Sequence, residues 1–243
     1  MRSVSWLVAL SVAVVVVAVA GSAQAQLDKL LKGLGGGGGL GAGLPDAKIG
    51  AGLKEALQVA TDTTVGLTGR TDGYFANQAI KILMPERLRT FESGLRAVGY
   101  GPQVDELVLG MNRAAEAAAP QAKQIFFGAI GEMSFDDARK ILNGGDTAAT
   151  EYFKGKTTPQ LTTAFRPVVE RSMSQVGVSR QYKDLAARFD AISFAKSQTF
   201  DLDGYVVDKG LAGLFTVLGE QEKQIRTNPT ARTTDLLKEV FKR

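Results

Sequence analysis

The chain has 243 residues, 44% hydrophobic and 22% charged, with a formal net charge of +4, no Cys and no His. This composition suits a globular protein with one core of fair size, and the charge is too mild to imply nucleic acid. The missing Cys and His exclude disulfides, Ser-His and Cys-His nucleophile pairs, His-ligated zinc or haem, and the usual switch near neutral pH.

Met1-Arg2 gives a short positive start, Trp6 to Ala20 is an apolar run, and Ala23-Gln24-Ala25 is a small-x-small cleavage site. This is the grammar of a secretory signal peptide over residues 1–25, so the expected location is the periplasm or the exterior, with a mature chain beginning at Gln26. The competing reading is a retained anchor, for which the run is short beside the roughly 20 apolar residues a spanning helix needs. No Cys follows the run, which excludes a lipid anchor there. Once the signal is removed, no transmembrane segment is expected.

Residues 26–44 read as a Gly-rich flexible tether, because a run such as Gly35 to Gly39 loses maximal backbone entropy on ordering. Leu27-Asp28-Lys29-Leu30-Leu31-Lys32 just before it has the length for a turn or two of helix. The domain proper is residues 45–243. Its strong periods are all near 3.6, so the expected fold is all-α, a single bundle of about nine or ten helices without a sheet.

A first helix carries Ile49, Leu53, Ala56, Leu57, Ala60 and Leu67 and is closed by Gly69. Arg70 to Gly73 is a turn, and a short second helix is expected over Tyr74 to Leu83. Pro85 starts a third, with Leu88, Phe91, Leu95 and Val98 on one side before Gly99 ends it. Pro102 starts the fourth, where Val104, Leu107, Val108, Met111, Ala115 and Ala118 share a face; it is expected to kink at Pro120 and continue through Phe126 and Ile130.

Ser134 and Asp137 have capping-box spacing, starting a helix that stops at Asn143-Gly144. Asp146 or Thr147 caps a short helix reaching Phe153, and Thr158-Pro159 starts another, with Leu161, Phe165, Val168, Val176 and an internal Pro167. Ser179 caps a helix with Tyr182, Leu185, Phe189 and Ile192 inward. Asp201 caps the last long one, apolar on both sides and therefore expected at the centre of the bundle. Asn228-Pro229 stops it, and Thr233 to Phe241 is a terminal helix.

Met111-Asn112-Arg113-Ala114-Ala115-Glu116, Ala149-Thr150 with Tyr152-Phe153, Gly213-Leu214-Phe215, and Glu222 with Ile225-Arg226 together resemble a bacterial family of exported proteins. Gly52 to Leu57, Asp72-Gly73-Tyr74, Asp137-Ala138 with Ile141-Leu142, and Tyr205-Val206 add to the likeness. The family is the domain of unknown function numbered 4197, and the resemblance runs from about Ile49 to Phe241. It implies a helical envelope protein and brings no catalytic residue.

Candidate site residues therefore rest on chemistry alone. Asn112, Arg113 and Glu116 lie at the edge of an apolar helix face, as a solvated flank with an Arg113–Glu116 pair or as a polar seam that binds a ligand or ties helices together. Glu92-Ser93 matches the Glu-Ser pair of helical murein lytic transglycosylases, making Glu92 a candidate general acid and base, although the Gly-Leu-Met-Gln phrase of those enzymes is absent.

No metal or cofactor is expected. Asp136, Asp137 and Asp146 are explained as helix caps, and the EF-hand-like Asp201 to Gly204 puts Gly210 where a bidentate Glu is required. Ser193-Phe194-Ala195-Lys196 has S-x-x-K spacing without the companion motifs of penicillin-recognising enzymes. The basic residues Arg226, Arg232, Lys238, Lys242 and Arg243 suit helix C-termini or an anionic lipid surface. The expected function is an exported binding module for an envelope protein or for an apolar or anionic, lipid-like ligand. A carboxylate-dependent enzyme acting on cell-wall glycan is the alternative.

Overall fold

The structure, a computed structural model, describes residues 45–175, 177–193 and 200–241. The expected signal peptide and tether, Val176, the S-x-x-K residues after Ser193, Lys242 and Arg243 lie outside the described residues, as do the expectations for the Phe189 and Ile192 side chains.

The helices are α1 (Asp46–Gly69), α2 (Arg89–Ala97), α3 (Gly101–Ala118), α4 (Ala122–Glu132), α5 (Phe135–Leu142), α6 (Ala148–Gln175), α7 (Val178–Ser193), α8 (Leu202–Thr227) and α9 (Asp235–Val240). Short 3-10 turns occupy Glu86–Leu88, Ala119–Gln121 and Pro229–Ala231, and no strand occurs among the described residues. The all-α expectation holds.

Helix α8 is the central element. Val206, Leu211, Leu214, Val217 and Leu218 are all buried, and it packs against α1, α3 and α6. A helix apolar over so much of its circumference keeps only a narrow face for water, the stripe of Asp208, Ala212, Thr216, Glu220 and Lys223. Phe126 of α4 sits 5.3 Å from Phe153 of α6 and 5.9 Å from Phe215 of α8, centroid to centroid, so one aromatic cluster joins three helices.

Locally encoded features appear where expected. Asp137 N–H donates to Ser134 Oγ and Ser134 N–H to Asp137 Oδ2, completing the capping box of α5. Asp201 accepts from Gly204 N–H at 2.8 Å to cap α8. The bend at Pro120 is a 3-10 turn between α3 and α4. Thr234, one residue after the expected start, caps α9 through Leu237 N–H.

Three expectations are corrected. Residues 74–83 are a chain of turns and not a helix, because side chains of α3 take their backbone groups. The break expected between Phe153 and Thr158 is absent, and α6 runs unbroken through Pro159 and Pro167. Thr157, Thr158, Thr162 and Thr163 donate their hydroxyls to the carbonyls of Phe153, Lys154, Thr158 and Pro159, adding hydrogen bonds to the stretch that the proline weakens. Val98 is exposed at 49%, since α2 has already ended and the chain turns away at Gly99 with φ 91°.

Candidate functional site

Helix α3 presents Asn112, Arg113 and Glu116 to the turns at 72–82, which form a strap across the bundle. Glu116, 4% exposed, accepts at Oε1 from the N–H groups of Tyr74 (3.0 Å) and Phe75 (3.1 Å), and at Oε2 from Arg113 Nη1 (2.7 Å). Arg113 reaches on to Asp72 Oδ1 at 2.7 Å, holding a residue whose φ of 64° is unusual for a non-glycine. Asn112, fully buried, pairs with Ile82 in both directions, accepting its N–H at 2.9 Å and donating to its carbonyl at 2.8 Å. Its second N–H goes to Val108 O.

Tyr74, also fully buried, donates its hydroxyl to Gly210 O at 2.6 Å. Burial pushes its phenol pKa up, and the Glu116 carboxylate pushes it further. Gly213 makes room for the ring, because a Cβ there would meet Tyr74 Cε1 at 2.6 Å. The trio thus lies together on the strap, and Arg113, with a third of its side chain exposed, is its solvent-facing member.

A second clamp of the same chemistry lies on α8. Glu222 accepts from Ala149 N–H and Thr150 N–H, both at 2.9 Å, and from Thr150 Oγ1. These amides open α6, so the carboxylate meets two orphan donors and the positive end of the helix dipole. Arg226, one turn on, binds Glu222 Oε1 through Nε and Nη2 and caps the C-terminal end of α5 by donating to Ile141 O (2.7 Å) and Leu142 O (3.2 Å). Both side chains are 5% exposed, and one buried ion pair stitches two helix ends together.

Two clefts flank α6. The larger, about 610 Å³, runs between α6 and α8. These helices are antiparallel, since Gly219 faces Thr147 and Thr150 while Gly210 faces Phe165. The cleft has a buried floor of Leu211, Phe215 and Thr150 and a rim of Glu151, Lys154, Asp208, Glu220 and Lys223. The smaller, about 400 Å³, lies between α4 and α6 and is lined largely by polar side chains.

A family model described as "Protein of unknown function (DUF4197)" matches residues 43–242. The chain belongs to this family. The matched span of the DUF4197 domain contains both clamps and both clefts. No curated protein and no solved structure matches the chain.

Within this DUF4197 domain, Glu92 lies on α2 with its side chain 27% exposed, bonded to Arg96 Nε at 2.9 Å, and Arg96 in turn binds Asp105. Ser93 donates its hydroxyl to Thr90 O. Glu92 lines neither of the clefts beside α6. No group of three or more metal-ligating side chains occurs among the described residues, and Asp137 and Asp201 act as caps.

Of the basic residues near the C-terminus, Arg226 donates to backbone carbonyls at the end of α5 and Arg232 to those at the end of α8. Sequence alone suggests a helix C-terminal or lipid-facing role for Arg226 without pairing it with Glu222, and no binding role for the cleft walls. One available signal was the row Thr147, Thr150, Glu151, Lys154, Thr158 and Thr162, a polar stripe at helical spacing on one side of α6.

Proposed function

We propose that this protein is exported to the cell envelope and works there as a non-enzymatic binding module, seating an amphipathic helix of a protein partner in the cleft between α6 and α8. Export rests on the signal-peptide grammar of residues 1–25. Among the described residues no helix is long and apolar enough to cross a membrane.

The observation that carries the reading is the α6/α8 cleft. Its lining spans Thr147 to Thr162 on one wall and Asp208 to Lys223 on the other, about 22 Å of helix on each side at 1.5 Å per residue. Both walls repeat at three- and four-residue steps, the pattern that accepts a third helix in a groove. Ala212 and Gly219 let a backbone approach. Thr150, Thr158, Thr162 and Thr216 direct their hydroxyl protons to Glu222 or to carbonyls of their own helix, leaving acceptor lone pairs and methyl groups for the cleft. Glu151, Lys154, Asp208, Glu220 and Lys223 form no ion pairs among the described residues and remain available to a charged flank. In this reading Asn112, Arg113 and Glu116 support binding indirectly, by fixing the strap beside α8.

The test compares wild type with Ala212→Trp, which fills the cleft from an exposed position. Each is recovered from its native envelope after cross-linking and analysed by mass spectrometry. A protein that is cross-linked through α6 or α8 of wild type, and is lost with Ala212→Trp, supports the reading. A bare monomer from both sinks it.

A further inference from the structure

The α4/α6 cleft, on the other flank of α6, differs from its neighbour in chemistry. Gln124 and Glu132 enter from α4, and Tyr152, Lys156 and Gln160 from α6, with Asp137 of α5 beside them. The side chains of Gln124, Glu132, Lys156 and Gln160 make no hydrogen bond or ion pair with any described residue. The Lys156 ammonium lies 5.9 Å from the centre of the Tyr152 ring, and the Tyr152 hydroxyl has no hydrogen-bond partner among the described residues. Asp137 uses Oδ2 on Ser134, which fixes the carboxylate and leaves Oδ1 free. Burial raises the Tyr152 pKa, and the Asp137 and Glu132 carboxylates raise it further, so the hydroxyl remains a donor.

The floor is made of Ile125, Gly128 and Ala129. Glycine inside a helix costs about 1 kcal/mol relative to alanine, and at Gly213 close packing against Tyr74 offsets that cost. At Gly128 an added Cβ would meet nothing within 4 Å, so no packing contact requires the glycine. Gly66, Gly131 and Gly155 are open in the same way, so Gly128 leaves the floor flat and accessible but does not by itself mark a site.

We propose that the α4/α6 cleft is a saccharide-binding site for a neutral or N-acetylated pyranose unit. A pyranose offers an apolar C–H face ringed by hydroxyls that both donate and accept. The cleft offers an apolar floor with carboxylates that only accept, amides that do both, and a phenol and an ammonium that donate. A hydrocarbon chain would strip water from these six polar groups and give nothing back. A phosphate would face the carboxylates of Glu132 and Asp137. This site is independent of the helix seat on the opposite flank.

The test is an NMR titration of the intact ¹⁵N-labelled chain with chitotriose, maltotriose and the dipeptide alanyl-glutamate. The readout is the side-chain amide signals of Gln124 and Gln160. Saturable shifts with at least one of the sugars are expected. They should weaken about tenfold in Gln160→Ala, as expected when a ligand loses a hydrogen-bonding amide. They should vanish in Gly128→Leu, whose new side chain points into open space and leaves the thermal midpoint intact, and persist in Ala212→Trp. No shift with either sugar, shifts that survive Gly128→Leu, or a response to the dipeptide alone would overturn the proposal.

Discussion

The two clamps use the same pair of side chains to opposite structural ends. Glu222 and Arg226 are sealed, and they join the start of α6 to the end of α5. Glu116 is equally buried, but Arg113 and Asp72 reach water, and what they hold is a strap without regular structure. Helix ends always leave orphan amides and carbonyls, so the first clamp satisfies groups that the fold creates by design. The second replaces secondary structure altogether, since Tyr74, Phe75 and Ile82 find their backbone partners on α3 side chains. The sealed clamp should therefore dominate global stability, while the open one should govern local opening of the strap.

Alanine at each carboxylate is the strongest way to break that comparison. Glu222→Ala leaves a buried guanidinium and two helix amides without their partner, a loss of about 3–5 kcal/mol. Glu116→Ala strands two amides, but water can reach Arg113, so about 1–3 kcal/mol is expected. Urea denaturation of the two variants reads both values. Equal losses would mean that solvent access to Arg113 does not matter.

Arginine-to-lysine changes sharpen the same point at smaller cost. Arg226 binds Glu222 and two carbonyls at once, a fork that a single ammonium cannot reproduce. Arg226→Lys should cost about 2 kcal/mol and Arg113→Lys under about 1, by the ordinary worth of charged hydrogen bonds. A thermal midpoint lowered more by Arg113→Lys would reverse the ranking.

How legible each region was in the sequence follows from the distance over which its chemistry acts. The Ser134–Asp137 box and the Asp201 cap are three-residue features and were readable directly. The cap on α6 comes from Glu222, 73 residues away from Ala149, so the local cap expected at Asp146 or Thr147 had no means of revealing it. Tyr74 to Leu83 carries helical spacing, yet tertiary contacts from Asn112 and Glu116 override it. Pro159 looked like a helix start because proline suits the first turn, and only the assembled bundle keeps α6 continuous through it. Asn112, Arg113 and Glu116 were visible as polar residues beside an apolar face, without the strap they hold. The clefts belong to pairs of helices, so neither wall announces one alone.

Gly213→Ala tests the strap from the side of α8. The new methyl group would overlap the Tyr74 ring and crowd Ile80 Cβ at 3.0 Å. Overpacking of this kind costs about 1–3 kcal/mol. Hydrogen exchange should show Ile82 N–H losing protection while Ala149 and Thr150 N–H keep theirs. Equal loss at all three would mean that the clamps open as one unit.

The smallest effect separates the regions by pH. The Tyr74 phenol pKa is raised in the folded state above its ordinary value of 10.0, by burial first and by Glu116 second. A group whose folded pKa is raised contributes stability that is whole below the unfolded value and is lost as pH climbs through the folded one. Above pH 10 the wild type should therefore lose up to about 1.4 kcal/mol per pH unit from this residue alone. Tyr74→Phe forfeits the bond to Gly210 O, about 1 kcal/mol at neutral pH, but it has no proton to lose. The upward shifts of Tyr152 and Tyr205 are common to both proteins and cancel in the difference. Urea denaturation should find wild type the more stable up to pH 10 and the two curves crossing within about one pH unit above it. Parallel curves would mean that Tyr74 ionises as readily folded as unfolded, so that the strap does not shield its phenol from solvent.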